Sequence, residues 1–267
     1  MLKKSMWLTA LGLSCACLLS GCGETTEESE TAIKKLLVYC GITMVKPMTE
    51  IARIIEKEQD CEITLTQGGS EDLYQSLKAS GRGDLYLPGS ASYRKRHLEE
   101  GLLGEFTHVG FNQAAMVVAK GNPKGVKADL RELLREDLSV VICNPESGSI
   151  GRETKRMLTE AGIYDEVFTR ATYLTTDSRN LNNALKSGEA DLIVNWRATA
   201  FFEENAPLMD VIDLPPAIVK PKKLLINLLK FSEHPDIARR MMEYAGSEKG
   251  QEIFRRHGFL DNRTQVD

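Results

Sequence analysis

Leu36-Leu37-Val38-Tyr39-Cys40-Gly41-Ile42-Thr43-Met44, leading through Pro47 into the amphipathic stretch 48–58, decides the fold of this chain. The apolar run ending at Gly41 reads as a buried strand. Ile51, Ile54 and Ile55 then share one helical face, with Glu50, Arg53, Glu56 and Lys57 outside it. Pro47 suits the first turn of that helix, where its missing N–H costs nothing. A buried strand, a tight polar turn and a helix form the unit of an open α/β sheet. In such sheets ligands gather at the carboxyl ends of the strands.

The unit recurs along the chain. Residues 62–66 alternate like a strand, Gly68-Gly69 breaks them, and 71–79 read as a helix before a strand at 84–87. A helix over 93–100 stops at Gly101. Strands follow at 114–119, 139–143 and 191–194, with helices at 130–134, 151–161 and 181–186. Leu224 to Leu229 reads as a strand, and 235–244 and 248–254 as closing helices. The expectation is a parallel-rich α/β architecture whose function lies in the loops after Cys40, Thr66, Cys143 and Val194.

Before this pattern, Lys3 and Lys4 precede a short apolar stretch that ends in Leu19-Ser20-Gly21-Cys22. The stretch is short and rich in small residues for a membrane span. It resembles a bacterial lipoprotein signal, which implies cleavage after residue 21 and lipidation of Cys22. Several acyl chains anchor a protein stably to a membrane surface, where one alone does not. Residues 22–34 form an acidic stretch, with Glu24, Glu27, Glu28 and Glu30, that lacks the apolar surface to fold and reads as a flexible tether.

The net charge of -4 argues against a nucleic-acid partner, which needs a clustered basic surface. Of six cysteines, Cys40, Cys61 and Cys143 follow Cys22. An odd number excludes a complete disulfide framework, and the spacing matches no zinc pattern, so buried thiols are expected; a single disulfide among them stays open. The four histidines, His97, His108, His234 and His257, lie outside the candidate loops. No Gly-x-Ser-x-Gly, His-Glu-x-x-His or phosphate-loop signature is present, so the chain reads as a binder and not an enzyme, with no cofactor.

Tyr39 to Met44 before a helix, Gly68-Gly69-Ser70 with Gly83-Asp84-Leu85, Asn144-Pro145 with Gly151, Lys186 to Asp191, and Gly246 to Gln251 with His257-Gly258-Phe259 together resemble the periplasmic solute-binding proteins of ABC importers. The molybdate-binding group is the nearest match. The resemblance implies a two-lobed type II fold with one ligand in the cleft between lobes. Lobe 1 would comprise 35–113 plus 225–263, and lobe 2 would comprise 114–224. It implies a small oxyanion ligand, a permease partner, a hinge motion, a monomer, and an exported location at the membrane.

The expected ligand residues are Thr43, Gly69, Ser70, Ser90, Ser149, Ile150, Ser178, Asn195 and Arg197. Thr43 and Ser70 match the family's hydroxyl donors, Ile150 a backbone donor, and Ser178 falls near another. Backbone N–H groups at helix starts, helped by short hydroxyls, hold such anions. Each of these Ser and Thr residues suits an N-cap equally well. Asn195-Trp196-Arg197 stands where the family often has a tyrosine, so Asn195 would donate an amide and Arg197 either a charge-assisted bond or an outward helix-start contact. Molybdate, tungstate, sulfate, phosphate and carboxylates remain open as ligands. Ferric iron on Tyr39, Tyr74, Tyr86 and Tyr93, a soft-metal or thiol site at Cys40 and Cys143, and a role as sensor for a membrane kinase are the rival readings.

Overall fold

The computed structural model describes residues 33–260. The predicted signal, Cys22 and almost all of the tether lie outside the described residues. Strands β1 (Lys34–Gly41), β2 (Cys61–Gly68), β3 (Leu85–Leu87) and β4 (Leu103–Asn112) enter one sheet. Strands β5 (Ala114–Ala119), β6 (Val140–Cys143), β7 (Tyr173–Thr175), β8 (Leu192–Trp196) and β9 (Met209–Ile212) build a second. The chain then returns, and β10 (Lys222–Leu229) inserts between β3 and β4 of the first sheet.

The strand orders are β2-β1-β3-β10-β4 and β7-β6-β8-β5-β9. Each sheet has three parallel strands, then one antiparallel strand, then an edge. The architecture is therefore α/β and two-lobed, with mixed sheets in place of the parallel-rich sheet expected. The antiparallel strands β5 and β10 flank the two crossings between lobes, and Gln113 alone links β4 to β5.

Helices α1 (Val45–Gln59), α2 (Ser70–Ser80) and α3 (Ser92–His97) follow β1, β2 and β3. Helices α4 (Ser149–Glu160), α5 (Tyr164–Arg170) and α6 (Ser178–Ser187) belong to the second lobe, and α7 (Pro235–Gly246) and α8 (Glu248–Arg256) close the first. α1 buries Met48, Ile51, Ala52 and Ile55 against Val38, Leu85 and the apolar face of α7, as its periodicity requires. The second sheet carries its own core, with Val117, Val141, Ile193 and Leu158 fully or almost fully buried. The residue run 130–134 forms a 3-10 turn instead of an α-helix.

The strand β4 was not expected from the sequence, because Gly104 and Gly110 weaken its local preference. Pairing with β10 over most of its length supplies the order that propensity lacks, despite a register slip at Val109. β10 itself starts at Lys222, already opposite Asn112.

Candidate binding cleft

Four helix starts meet where the lobes face each other. The loop after β1 brings Gly41, Ile42 and Thr43; the loop after β2 brings Gly68, Gly69 and Ser70; Gly89 follows β3. From the second lobe come Gly148, Ser149 and Ile150 at α4, and Asp177 and Ser178 at α6. These residues enclose about 10 Å³. That is close to what one buried water requires, so the space is small and enclosed.

The local sequence explains why donors point inward. Ser70, Ser149 and Ser178 are each the first helical residue, while Gly69, Gly148 and Asp177 occupy the N-cap positions. The N-cap position that each serine suited is thus held by its neighbour. The 3-10 turn Ile42–Met44 that precedes α1, and helices α2 and α4, have no side-chain cap at all, which leaves their first N–H groups without a side-chain acceptor. Of the four helix starts at the cleft, α6 alone is capped, by Asp177 accepting from the Asn180 N–H at 2.9 Å.

The hydroxyls are oriented by what they accept. Ser70 Oγ accepts the Gly89 N–H at 3.0 Å, and Ser149 Oγ accepts the Trp196 indole N–H at 3.1 Å. With an acceptor lobe used, each hydroxyl keeps its proton to donate. Thr43 Oγ1 lies 3.5 Å from Ser178 Oγ, reaching from one lobe to the other. A backbone bond also crosses, from the Glu71 N–H to the Ser147 carbonyl at 3.2 Å. Close approach requires glycine here: a Cβ on Gly69 would stand 2.9 Å from that same carbonyl, and one on Gly89 would collide with Ser149 Oγ.

The other expected site residues lie elsewhere. Ser90 accepts the Ser92 N–H at 3.2 Å, inside the turn that starts α3, and does not line the cleft. Asn195 is fully buried behind Ser178 and donates to its carbonyl at 3.0 Å and to Asn182 Oδ1 at 2.7 Å. Arg197 turns away, its Nε bonded to Asp213 at 2.9 Å and its guanidinium over the Phe201 ring at 4.5 Å. Its outward reading is therefore the one the geometry carries. Tyr39, Tyr74, Tyr86 and Tyr93 lie together in a core cluster of the first lobe, and none lines the cleft.

Cys40, Cys61 and Cys143 are all buried free thiols. Burial pushes the Cys143 thiol up to about 12, so it stays protonated at neutral pH. Sequence reasoning missed Asp177 as a lining residue, since an Asp before a helix signals a cap and nothing more. Nearby, Asp72 is held above the ordinary carboxylate range, by burial first and then by the charges of Glu71 and Asp177. Among the described residues no group of three His, Cys, Asp or Glu side chains could hold a metal ion, and no helix is long and apolar enough to cross a membrane.

Comparison with known proteins agrees with this geometry. Residues 36–260 match the family described as bacterial extracellular solute-binding protein. Over 230 residues the chain is 20% identical to the molybdate-binding protein ModA of Rhodobacter capsulatus, covering 86% of this chain and 89% of that one. The periplasmic molybdate-binding protein of Azotobacter vinelandii superposes with a TM-score of 0.71 at 14% identity, covering 85% of this chain and 98% of its own. The sulfate-binding protein SubI of Mycobacterium tuberculosis gives 0.75 at 14% identity, with coverages of 86% and 88%.

Proposed function

The chain belongs to the bacterial extracellular solute-binding proteins, and from that premise we propose that its cleft captures a small tetrahedral oxyanion of the molybdate or tungstate type for an ABC importer. The convergence of the 3-10 turn Ile42–Met44, α2 and α4, all without side-chain caps, on one small space carries this reading. Helix starts present N–H groups and a favourable dipole to an anion, and Thr43, Ser70 and Ser149 add hydroxyl donors. Among the described residues no cationic side chain lines the space, so recognition rests on neutral donors at fixed spacing. Such a site suits an ion that offers acceptors on every face. The likeness to molybdate-binding and sulfate-binding proteins supports the same ligand class.

In this reading the chain is exported and held at the membrane by lipid on Cys22, and ligand stabilises the closed arrangement that a permease recognises. A ligand that binds one arrangement better shifts the population toward it.

The test is calorimetry on the full-length chain in detergent, titrated with molybdate, tungstate, sulfate and phosphate. Thr43→Ala and Ser70→Ala are each expected to weaken binding about tenfold or more, as loss of a hydrogen bond to a charged group costs roughly 1.5–3 kcal/mol. Thr43→Ala should keep the wild-type unfolding midpoint without ligand, whereas Ser70→Ala lowers it somewhat, because the buried Gly89 N–H loses its acceptor. Unchanged affinity in both, or no binding of any oxyanion, rejects the assignment.

A further inference from the structure

Beside the cleft lies a second, larger chamber of about 130 Å³, and Ile42, Thr43 and Ser178 line both. It is bounded by α1, α6 and the segment after β8. Its polar groups are incompletely used. Asn182 Oδ1 accepts from Asn195 and from Thr199, so its amide nitrogen is left as an uncommitted donor. Asn205 is almost wholly buried; its nitrogen donates to the Thr199 carbonyl at 2.8 Å, while its Oδ1 has no partner.

The Asn205 Oδ1 calls for a donor, whereas the charges of the lining are unbalanced toward the positive. Lys46 is paired with Glu204 at 2.5 Å. Among the described residues Arg179 bonds the neutral Gln67, at 2.5 Å, and Lys186, which stands in the lining and whose charge Glu204 feels, forms no direct ion pair. Two cationic groups and a free amide donor thus face a chamber with one carboxylate, already neutralised. A bare inorganic ion in the cleft leaves all of them unsatisfied. A ligand with a second acidic group would reach them past the Thr43 and Ser178 hydroxyls.

Resting on the oxyanion reading of the cleft, we propose that this chamber is a second subsite for a carboxylate-bearing arm. The ligand class it fits is an organic tetrahedral oxyanion, a phosphonate or sulfonate whose short substituent ends in a carboxylate. Thr43 and Ser178 then donate to the ligand in place of contacting each other. Arg179, Lys186 and the Asn182 amide take the carboxylate.

The experiment compares matched pairs by calorimetry on the full-length chain: phosphonoacetate against methylphosphonate, and sulfoacetate against methanesulfonate, with molybdate as the inorganic reference. In at least one pair the carboxylate is expected to tighten binding tenfold or more. The variant Lys186→Gln should reduce that advantage and leave molybdate affinity unchanged, which also shows that it folds, and the double variant Arg179→Gln, Lys186→Gln should abolish the advantage. Equal affinity within both pairs, or an advantage that survives the double variant, overturns the subsite. Molybdate binding with no carboxylate advantage overturns the subsite alone, whereas failure of every tetrahedral oxyanion to bind overturns the cleft reading with it.

Discussion

Asp177 is the one charged side chain among the described residues that line the cleft, and it has the sign of the proposed ligand. Its carboxylate is retained for local reasons, as the cap of α6. Asparagine caps a helix about as well, so Asp177→Asn should leave α6 intact and remove a like charge. Like charges about 4 Å apart repel by roughly 1 kcal/mol in water, and by more where water is excluded. The expected result is molybdate affinity raised about threefold to tenfold at pH 7, read by calorimetry. Lowered affinity would instead mean that the carboxylate accepts a proton carried by the ligand. The same residue shows where reading from sequence stops. Thr43, Ser70, Ser149 and Ser178 were legible as short hydroxyls at helix starts, because strand-turn-helix order fixes where such residues go. Arg197 was ambiguous, because an arginine after a strand reaches several Ångströms in any direction, and only Asp213 and Phe201 decide which.

Helix α2 carries the pH sensitivity at the level of a single element. Glu71 stands in its first turn, between the lobe interface and the buried ring of His97. Burial alone would raise its carboxyl, but hydrogen bonds from Gln75 and His97 and the charge of Arg96 outweigh this, so it lies below the ordinary range. A carboxylate favoured in the folded state stabilises fully above its unfolded value, near 4.3, and that stability is lost as pH falls through the folded value. Glu71→Gln should therefore lose less stability than wild type on acidification below about pH 4, seen in denaturant midpoints. Elements with a strong period, such as α1 and β1, were legible in the sequence. β4, β7, β9 and α5 were not, since each is short, glycine-bearing or solvent-facing and owes its form to the strand or helix beside it.

At the scale of the whole molecule the lobes are held together by more than the cleft. Arg152 of α4 lies over the Tyr93 ring of α3 at 4.7 Å, and Arg179 reaches Gln67 of β2. Such a cation and ring contribute about 0.5–2 kcal/mol. Because Arg152 does not line the cleft, Arg152→Ala acts on closure and not on contact with the ion. Molybdate affinity should fall about twofold to thirtyfold, while small-angle scattering shows a larger radius of gyration without ligand and a return to the compact value at saturation. An unchanged radius and affinity would assign the pair to local packing. The insertion of β10 between β3 and β4 has a further consequence, for the order in which the protein is made. Strands of the second sheet all lie between Ala114 and Ile212, so that half is complete while the first still lacks its antiparallel strand. Pairing residues 103–112 with 222–229 closes a loop of high contact order, a slow step by nature. A chain made from its N-terminus thus exposes the edges of β3 and β4 until residues 222–229 arrive, and unpaired strand edges of this kind are where self-association starts.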